Sequence, residues 1–369
     1  MPPNIAAWLP APKAKLEIKS APYPSIGKDD VIVRNGAVAI NPIDWVLQDM
    51  GNRVFNWIKF PFIIGIDAAG EIVEVGNAVT RFKSGDRVVY HAAGESKDYN
   101  DPARSAFQTY TVSETRFASP IPTNLSYESA CVLPLGLSTA ACGMFQKDQL
   151  ALQLPSVTVP RNSTGKTLLV WGGSTSVGCN AIQLAVAAGY EVFTTCSPKN
   201  FGLVKKLGAS QAFDYNSKTV VQDLTRAFSG KITAGAISMG PGSARACMDV
   251  LDKCEGNKFL SMASYPVPQP PPEQFATIRI IYAFLSFTIW CWFASKARQI
   301  RTAYIFGDTL FGNEVGKAIY GDFLPAALAN GSYIAAPDPH VVGKGLEHLQ
   351  TAFDLQKKGV SATKVVVSL

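Results

Sequence analysis

Residues 167–178 read TLLVWGGSTSVG, and CNAIQLAVAAG follows directly at 179–189. The run TLLVW is apolar and too short for a helix, so it reads as a buried strand. It runs into Gly172 and Gly173, and apolar residues then recur at helical spacing. Strand, glycine turn and helix in that order form the first half of a parallel βαβ unit. A dinucleotide pyrophosphate concentrates negative charge, and the unpaired amides of a helix start, approached across side-chain-free glycine, are suited to meet it. In the spacing G-x-G-x-x-G the middle position is Thr175, between Gly173 and Gly178, so the context carries this reading more than the letters do.

On the C-terminal side the same alternation continues. EVFTTCS (191–197) is a second strand, NFGLVKKLG (200–208) a helix ended by glycine, QAFDY (211–215) a short third strand and AGAISMG (234–240) a further one. These residues predict an α/β fold with a doubly wound parallel sheet. On the N-terminal side, from Lys15 to about Thr115, short β-branched runs are broken by Gly, Pro and Asp: VIVRNGAVAI, GEIVEVG, GDRVVY and FQTYTV. That half is an irregular, strand-rich domain. The final stretch, GLEHLQTAFDLQKKGVSATKVVVSL, gives a helix stopped by Gly359 and a strand that fits either half.

The second strand selects the dinucleotide. An NAD site ends this strand in Asp or Glu, which accepts the ribose 2′-hydroxyl. Here it ends Cys196-Ser197-Pro198-Lys199-Asn200. A hydroxyl, an ammonium and an amide replace the carboxylate and favour a 2′-phosphate, hence NADPH. Tyr215, after the third strand, either flanks the adenine or phosphate or is ordinary packing.

Composition narrows the class. The chain has 369 residues, 47% hydrophobic and 17% charged, which excludes disorder and suits one large or two ordinary domains. Its net charge of +6 is scattered rather than gathered into a run, which speaks against a nucleic-acid partner. Seven cysteines without a C-x-x-C pair suit a reducing cytosol. The start MPPNIAAWLPAPKAKLEI lacks an apolar run of signal-peptide type, so a cytoplasmic location is expected. No metal site is expected. The histidines are His91, His340 and His348, and no cysteine lies between Met1 and Ala130. Zinc needs its Cys, His and acidic ligands gathered at one place. Hydride transfer to a conjugated acceptor requires no metal, because hydroxyl or backbone groups can stabilise the acceptor oxygen.

One segment fits neither half. IIYAFLSFTIWCWFA, residues 280–294, stands between Arg279 and Lys296 after a proline-rich run. Its length falls below the roughly 18–20 residues that cross a bilayer, so a buried or interface helix is expected over a membrane anchor. A third reading is an apolar insertion over 280–301 that the core fold does not require, since the Ile-Arg pair occurs on both sides, at 278–279 and 300–301.

Several motifs, in order and spacing, resemble one known group. They are NPIDW (41–45), PFIIGIDAAGEIVEVG with GID where zinc members carry GHE, GDRVVY, PLGLSTA (134–140), WGGSTSVG, CSPKNF, FDY, IFG (305–307) and GVSATKVVV. The chain is similar over nearly its whole length to the zinc-free quinone and enoyl reductase branch of the medium-chain dehydrogenase/reductases, especially fungal trans-acting enoyl reductases. The resemblance implies a GroES-like catalytic domain from residues 1–135 and 335–369, a Rossmann NADP-binding domain from 136–334, and a cleft where they meet. It gives the terminal strand to the first domain. By the same resemblance Ile43, Asp44, Trp45 and Val46 with Thr139 line the nicotinamide side, and Ser174, Thr175, Ser176 and Val177 the phosphates. Ser197, Lys199, Asn200 and Tyr215 hold the 2′-phosphate, while Met262, Ala263, Val360 and Ser361 close around the cofactor.

Relatives with lysine after the Asp-Trp pair place a cation near the substrate, and here that residue is Val46. Thr139 is then either a hydroxyl donor to the acceptor or a cap at the start of the LSTAACGMF helix. The expected activity is NADPH-dependent reduction of an enone, enoyl group or quinone by a monomer or homodimer. The alternatives are an enoyl reductase acting with a polyketide synthase, and an NADP-binding protein of low turnover.

Overall fold

The computed structural model describes residues 2–53, 55–158, 162–266 and 276–369. Two compact units emerge, Met1–Ser138 with Asp308–Leu369, and Thr139–Gly307. The first begins with β1 (Asn4–Leu9), β2 (Glu17–Ala21), β3 (Asp30–Ala39), α1 (Pro42–Met50) and β4 (Phe62–Ile63). It continues with β5 (Asp67–Val75), β6 (Arg87–His91), β7 (Tyr110–Glu114), β8 (Ala118–Pro120), α2 (Tyr127–Ala130) and the first part of α3 (Pro134–Phe145).

The second unit contains β9 (Lys166–Trp171), α4 (Ser176–Ala187), β10 (Glu191–Cys196), α5 (Phe201–Lys206), β11 (Gln211–Asp214) and α6 (Val220–Ala227). Then come β12 (Ile232–Ser238), α7 (Ser243–Asp252), β13 (Glu255–Gly256), β14 (Phe259–Met262), α8 (Ala276–Arg298) and β15 (Arg301–Tyr304). The chain returns to the first unit with α9 (Leu324–Ala329), β16 (Asp338–Lys344), α10 (Leu349–Lys358) and β17 (Thr363–Ser368).

In the second unit the strand order is β11-β10-β9-β12-β14-β15, and every pairing is parallel. Successive strands run outward from β9 on one side, then from β12 on the other, which is the doubly wound order expected from the sequence. Leu169, Phe193, Ala236, Met248 and Leu260 form its core. A fully buried side chain of this size contributes roughly 1.5–3 kcal/mol, which is why the strands read as continuous apolar runs.

The first unit is mainly antiparallel, with a sheet in the order β16-β17-β3-β5-β6-β8 and a smaller one in the order β2-β1-β4. The terminal strand belongs here: β17 lies antiparallel to β3, with Val367 opposite Val38. Residues 308–334, expected with the parallel sheet, also fall in this unit. The reason is packing. Phe311 meets the rings of His91 at 4.8 Å and Phe117 at 4.4 Å, and Arg81 donates to the Tyr320 carbonyl at 3.0 Å.

Buried ionisable groups tie this unit together. Lys364 on β17 is almost wholly buried and lies 2.8 Å from the Asp67 carboxylate on β5. It also donates to the Asn41 side chain, and Asn41 caps α1 through a capping box with Asp44. The second Asp67 oxygen accepts from the Leu135 amide at 2.7 Å. One ammonium therefore joins the last strand to a central strand and a helix start, and removing one partner of such a pair costs about 3–5 kcal/mol.

Two corrections concern residues 280–301. The apolar helix does not stop at the expected 15 residues, because its flanks continue it to 23, Ala276–Arg298. At 23 residues the helix is long enough to cross a bilayer, so its length does not exclude a span. Nor is the segment a dispensable insertion: it is the crossover between the parallel strands β14 and β15, and Cys291 and Ile300 are buried in the sheet's core. Parallel neighbours need such a connection.

Glu95 is also buried in the first unit, accepting from the Gly65 amide at 2.6 Å, and burial pushes its carboxyl up to about 7. Between pH 4.5 and 7 the folded state then holds a proton that the unfolded chain has released, so Glu95 makes stability fall as pH rises through that window. Glu95→Gln keeps the acceptor for Gly65 and removes the titration. Thermal denaturation at a series of pH values should show the variant gaining on the wild type from pH 4.5 to 7, by on the order of 3 kcal/mol, with a constant difference above that range.

Candidate active site

In the second unit the expected cofactor residues gather at the C-terminal edge of the parallel sheet, where open α/β sheets bind ligands. The turn from β9 to α4 supplies Gly172 to Gly178. Gly172 has φ +90°, a left-handed conformation that favours glycine. A Cβ on Gly178 would stand 2.2 Å from the Gly172 carbonyl oxygen, so only glycine lets the helix start so close to the strand end. Thr175 caps α4, its hydroxyl accepting from the Gly178 amide at 3.0 Å and donating to the Gly172 carbonyl at 2.8 Å. The threonine where the fingerprint has glycine thus serves as the N-cap. The Cys179 amide goes to the Thr175 carbonyl, whereas those of Ser176 and Val177 find no acceptor among the described residues. Two free amides at a helix start and a cradle that a Cβ would fill suit a pyrophosphate.

Beside this turn, β10 ends at Cys196 and Ser197 to Asn200 form a short helical turn. The Ser197 hydroxyl donates to the Tyr215 hydroxyl at 3.2 Å, and the Asn200 amide donates to the Ser174 hydroxyl at 3.3 Å. Ser197, Asn200, Tyr215 and the phosphate turn are thereby brought together, with Lys199 exposed among them. Asp214, on the neighbouring strand, accepts from the Asn216 amide at 3.0 Å, so its carboxylate is engaged locally. Met262 ends β14 and Ala263 follows, its amide donating to the Ser238 carbonyl at the end of β12.

Thr139 is not a helix-start residue, because α3 begins at Pro134, five residues earlier. The cap reading fails for that reason: proline at the first helical position starts the helix. The Thr139 hydroxyl has no hydrogen-bond partner among the described residues and is available to donate.

In the first unit Ile43 to Val46 lie on α1, which packs on α10 through a hydrogen bond from the Trp45 indole to Gln356. Val360 and Ser361 follow the end of α10 and are exposed. Ile43, Trp45 and Val46 are partly exposed, but Asp44 is fully buried and accepts from the Asn41 amide at 2.7 Å. Burial pushes its carboxyl well above the usual range. Its side chain therefore orders α1 instead of lying on an open face.

The sequence reading missed a buried chain of polar groups. His91 Nδ1 lies 2.8 Å from the Ser138 hydroxyl, which lies 2.8 Å from the Tyr320 hydroxyl. Burial pushes the His91 imidazole down to about 4, so it is neutral at pH 7. Ser138 could have been found beside Thr139 in PLGLSTA, whereas Tyr320 carries no local signal. Among the described residues no three or more His, Cys, Asp or Glu side chains gather where they could hold a metal ion.

Comparison with known proteins agrees with this architecture. Residues 27–123 match the alcohol dehydrogenase GroES-like domain. The chain is 54% identical to the dehydrogenase pigH of Monascus ruber over the whole of both chains. It is 33% identical to the trans-enoyl reductase himH of Aspergillus japonicus, covering 99% of this chain and 97% of that one. The quinone oxidoreductase of Coxiella burnetii shares the fold, with a TM-score of 0.68 at 21% identity over both whole chains. With a GroES-like unit built from both ends of the chain and a doubly wound parallel sheet between them, the chain belongs to the medium-chain dehydrogenase/reductase family of oxidoreductases.

Proposed function

We propose that the chain is a zinc-independent, NADPH-dependent reductase that acts on an activated carbon–carbon double bond, as in an enone or enoyl group, or on a quinone. The observation that carries this reading is the turn after β10, where Ser197, Lys199, Asn200 and Tyr215 offer hydrogen-bond donors and a cation, and no carboxylate ends the strand. A ribose 2′-phosphate fits such a group by charge-assisted hydrogen bonds, and a ribose 2′-hydroxyl would find no acceptor of the NAD type. Zinc independence is supported at Gly65-Ile66-Asp67, where the carboxylate is already paired with Lys364.

Bound NADPH would supply hydride from its C4 to the acceptor, and water the proton that completes the reduction. The free amides of Ser176 and Val177 hold the pyrophosphate, and Met262 and Ala263 bound the cofactor at the sheet edge. The Thr139 hydroxyl donates to the acceptor oxygen, where negative charge develops. The 33% identical trans-enoyl reductase favours a second reading, reduction of a polyketide enoyl thioester, with a polyketide synthase as partner. Val46 argues against it, since that position supplies no cation. All seven cysteines are buried and none is joined in a disulfide, which suits a reducing compartment and a cytoplasmic location.

NADPH consumption across enones, quinones and coenzyme A enoyl thioesters tests the reading. Turnover with small enones or quinones is expected. Turnover confined to thioesters would favour the second reading, and NADPH binding without consumption would mark a binding protein and defeat both. Thr139→Val should lower kcat by about 10²-fold, with NADPH affinity unchanged. Gly178→Ala forces the turn open and should weaken NADPH binding about tenfold or more, as read by calorimetry, with far-UV circular dichroism preserved.

A further inference from the structure

The outer face of α8 is unlike the rest of the second unit. Among the described residues two helical stretches are long and apolar enough to cross a membrane. In one, Tyr127–Phe145, 83% of the apolar window is buried, as expected of a core helix. In the other, Ile278–Arg298, the share is 6%, although the mean hydropathy is 1.5. One face is covered, because Phe287, Trp290, Cys291 and Ala294 pack on the sheet's core. The opposite face carries Ile278, Ile281, Tyr282, Leu285, Ile289 and Trp292, at the i, i+3, i+4, i+7 spacing of one side of a helix. All six are more than half exposed, Tyr282 at 73% and Ile278 at 66%. Each leaves on the order of 10² Å² in water, so the stripe reaches the upper end of what a monomer ordinarily exposes. A surface helix normally turns polar residues to solvent, so this face calls for a partner.

Charge identifies that partner. From Gln274 to Gly307 the sequence has no Asp or Glu, while Arg279 and Lys296 stand near the two ends of the stripe. Neither is paired with a carboxylate among the described residues. A second copy laid antiparallel about the helix midpoint would set Arg279 beside Lys296 of the other copy with no acid to neutralise them. An anionic lipid surface meets both features, taking the apolar stripe into its acyl boundary and the cations at its headgroups. A membrane span is excluded by the anchored inner face, where Arg298 pairs with Asp249 at 2.6 Å and Arg245 lies 3.8 Å over the Trp290 ring.

We propose that α8 seats the protein on an anionic membrane, lying in the plane of the surface with Tyr282 and Trp292 at headgroup level. The full-length protein should float with vesicles of phosphatidylcholine containing phosphatidylserine, with a blue shift in tryptophan emission. Leu285→Glu with Trp292→Glu should lower the bound fraction about tenfold or more. Arg279→Ala and Lys296→Ala should each weaken binding to the anionic vesicles about fivefold. All four side chains project away from the core, so unchanged melting and circular dichroism will certify the fold. Three results would overturn the proposal: no flotation of the wild type, equal flotation of the Leu285 and Trp292 variant, or a lipid-free dimer in sedimentation that the same substitutions abolish. Equal binding to phosphatidylcholine alone would overturn its anionic part.

Discussion

The second unit depends on how closely a helix can begin beside the end of its strand. At Gly178 a single methyl group would strike the Gly172 carbonyl at 2.2 Å, and at Gly172 the chain must turn with φ +90°. Because both constraints are met, α4 starts directly over the end of β9 and the amides of Ser176 and Val177 find no acceptor among the described residues. The threonine at position 175 supports the arrangement, bonding both sides of the turn. The neighbouring turn at Ser197–Asn200 is then drawn to the same place by the Asn200–Ser174 hydrogen bond. Backbone geometry thus leaves two amides at the start of α4 without an acceptor among the described residues, and the side chains of Ser197, Lys199 and Asn200 stand beside them.

The first unit relies on a different device. Its sheet is closed by a strand from the far end of the chain, and Lys364 on that strand is buried against Asp67 and Asn41. Buried charges of this kind are costly to separate and so fix one register among the several that an alternating strand permits. The same contacts hold the start of α1, which carries Ile43, Trp45 and Val46. Glu95, Asp44 and His91 add buried ionisable groups, the two carboxyls pushed up and the imidazole pushed down, so each is driven toward its neutral form.

What could be read in the sequence follows from what leaves a local trace. The βαβ turn is legible because glycines and a change of hydrophobic period fall within a dozen residues, and the lack of a carboxylate after β10 is legible for the same reason. Long-range pairing leaves none. TKVVV gives no sign that its lysine turns inward, and nothing near Tyr320 points to Ser138. LSTAACGMF suggests a later start for α3 than Pro134, where it begins, and the packing that holds the residues after Gly307 on Phe117 and His91 is invisible in the chain. The apolar run at 280–294 reads as too short because its flanks, which continue the helix, break the hydrophobic pattern before they break the backbone.

The turn after β10 is the proposed seat of the 2′-phosphate. Isothermal titration of the wild type with NADPH and with NADH, repeated on Lys199→Ala, tests it directly. The account predicts that NADPH binds at least about tenfold more tightly than NADH and that the substitution weakens NADPH alone. Equal affinity for the two cofactors in the wild type would contradict it.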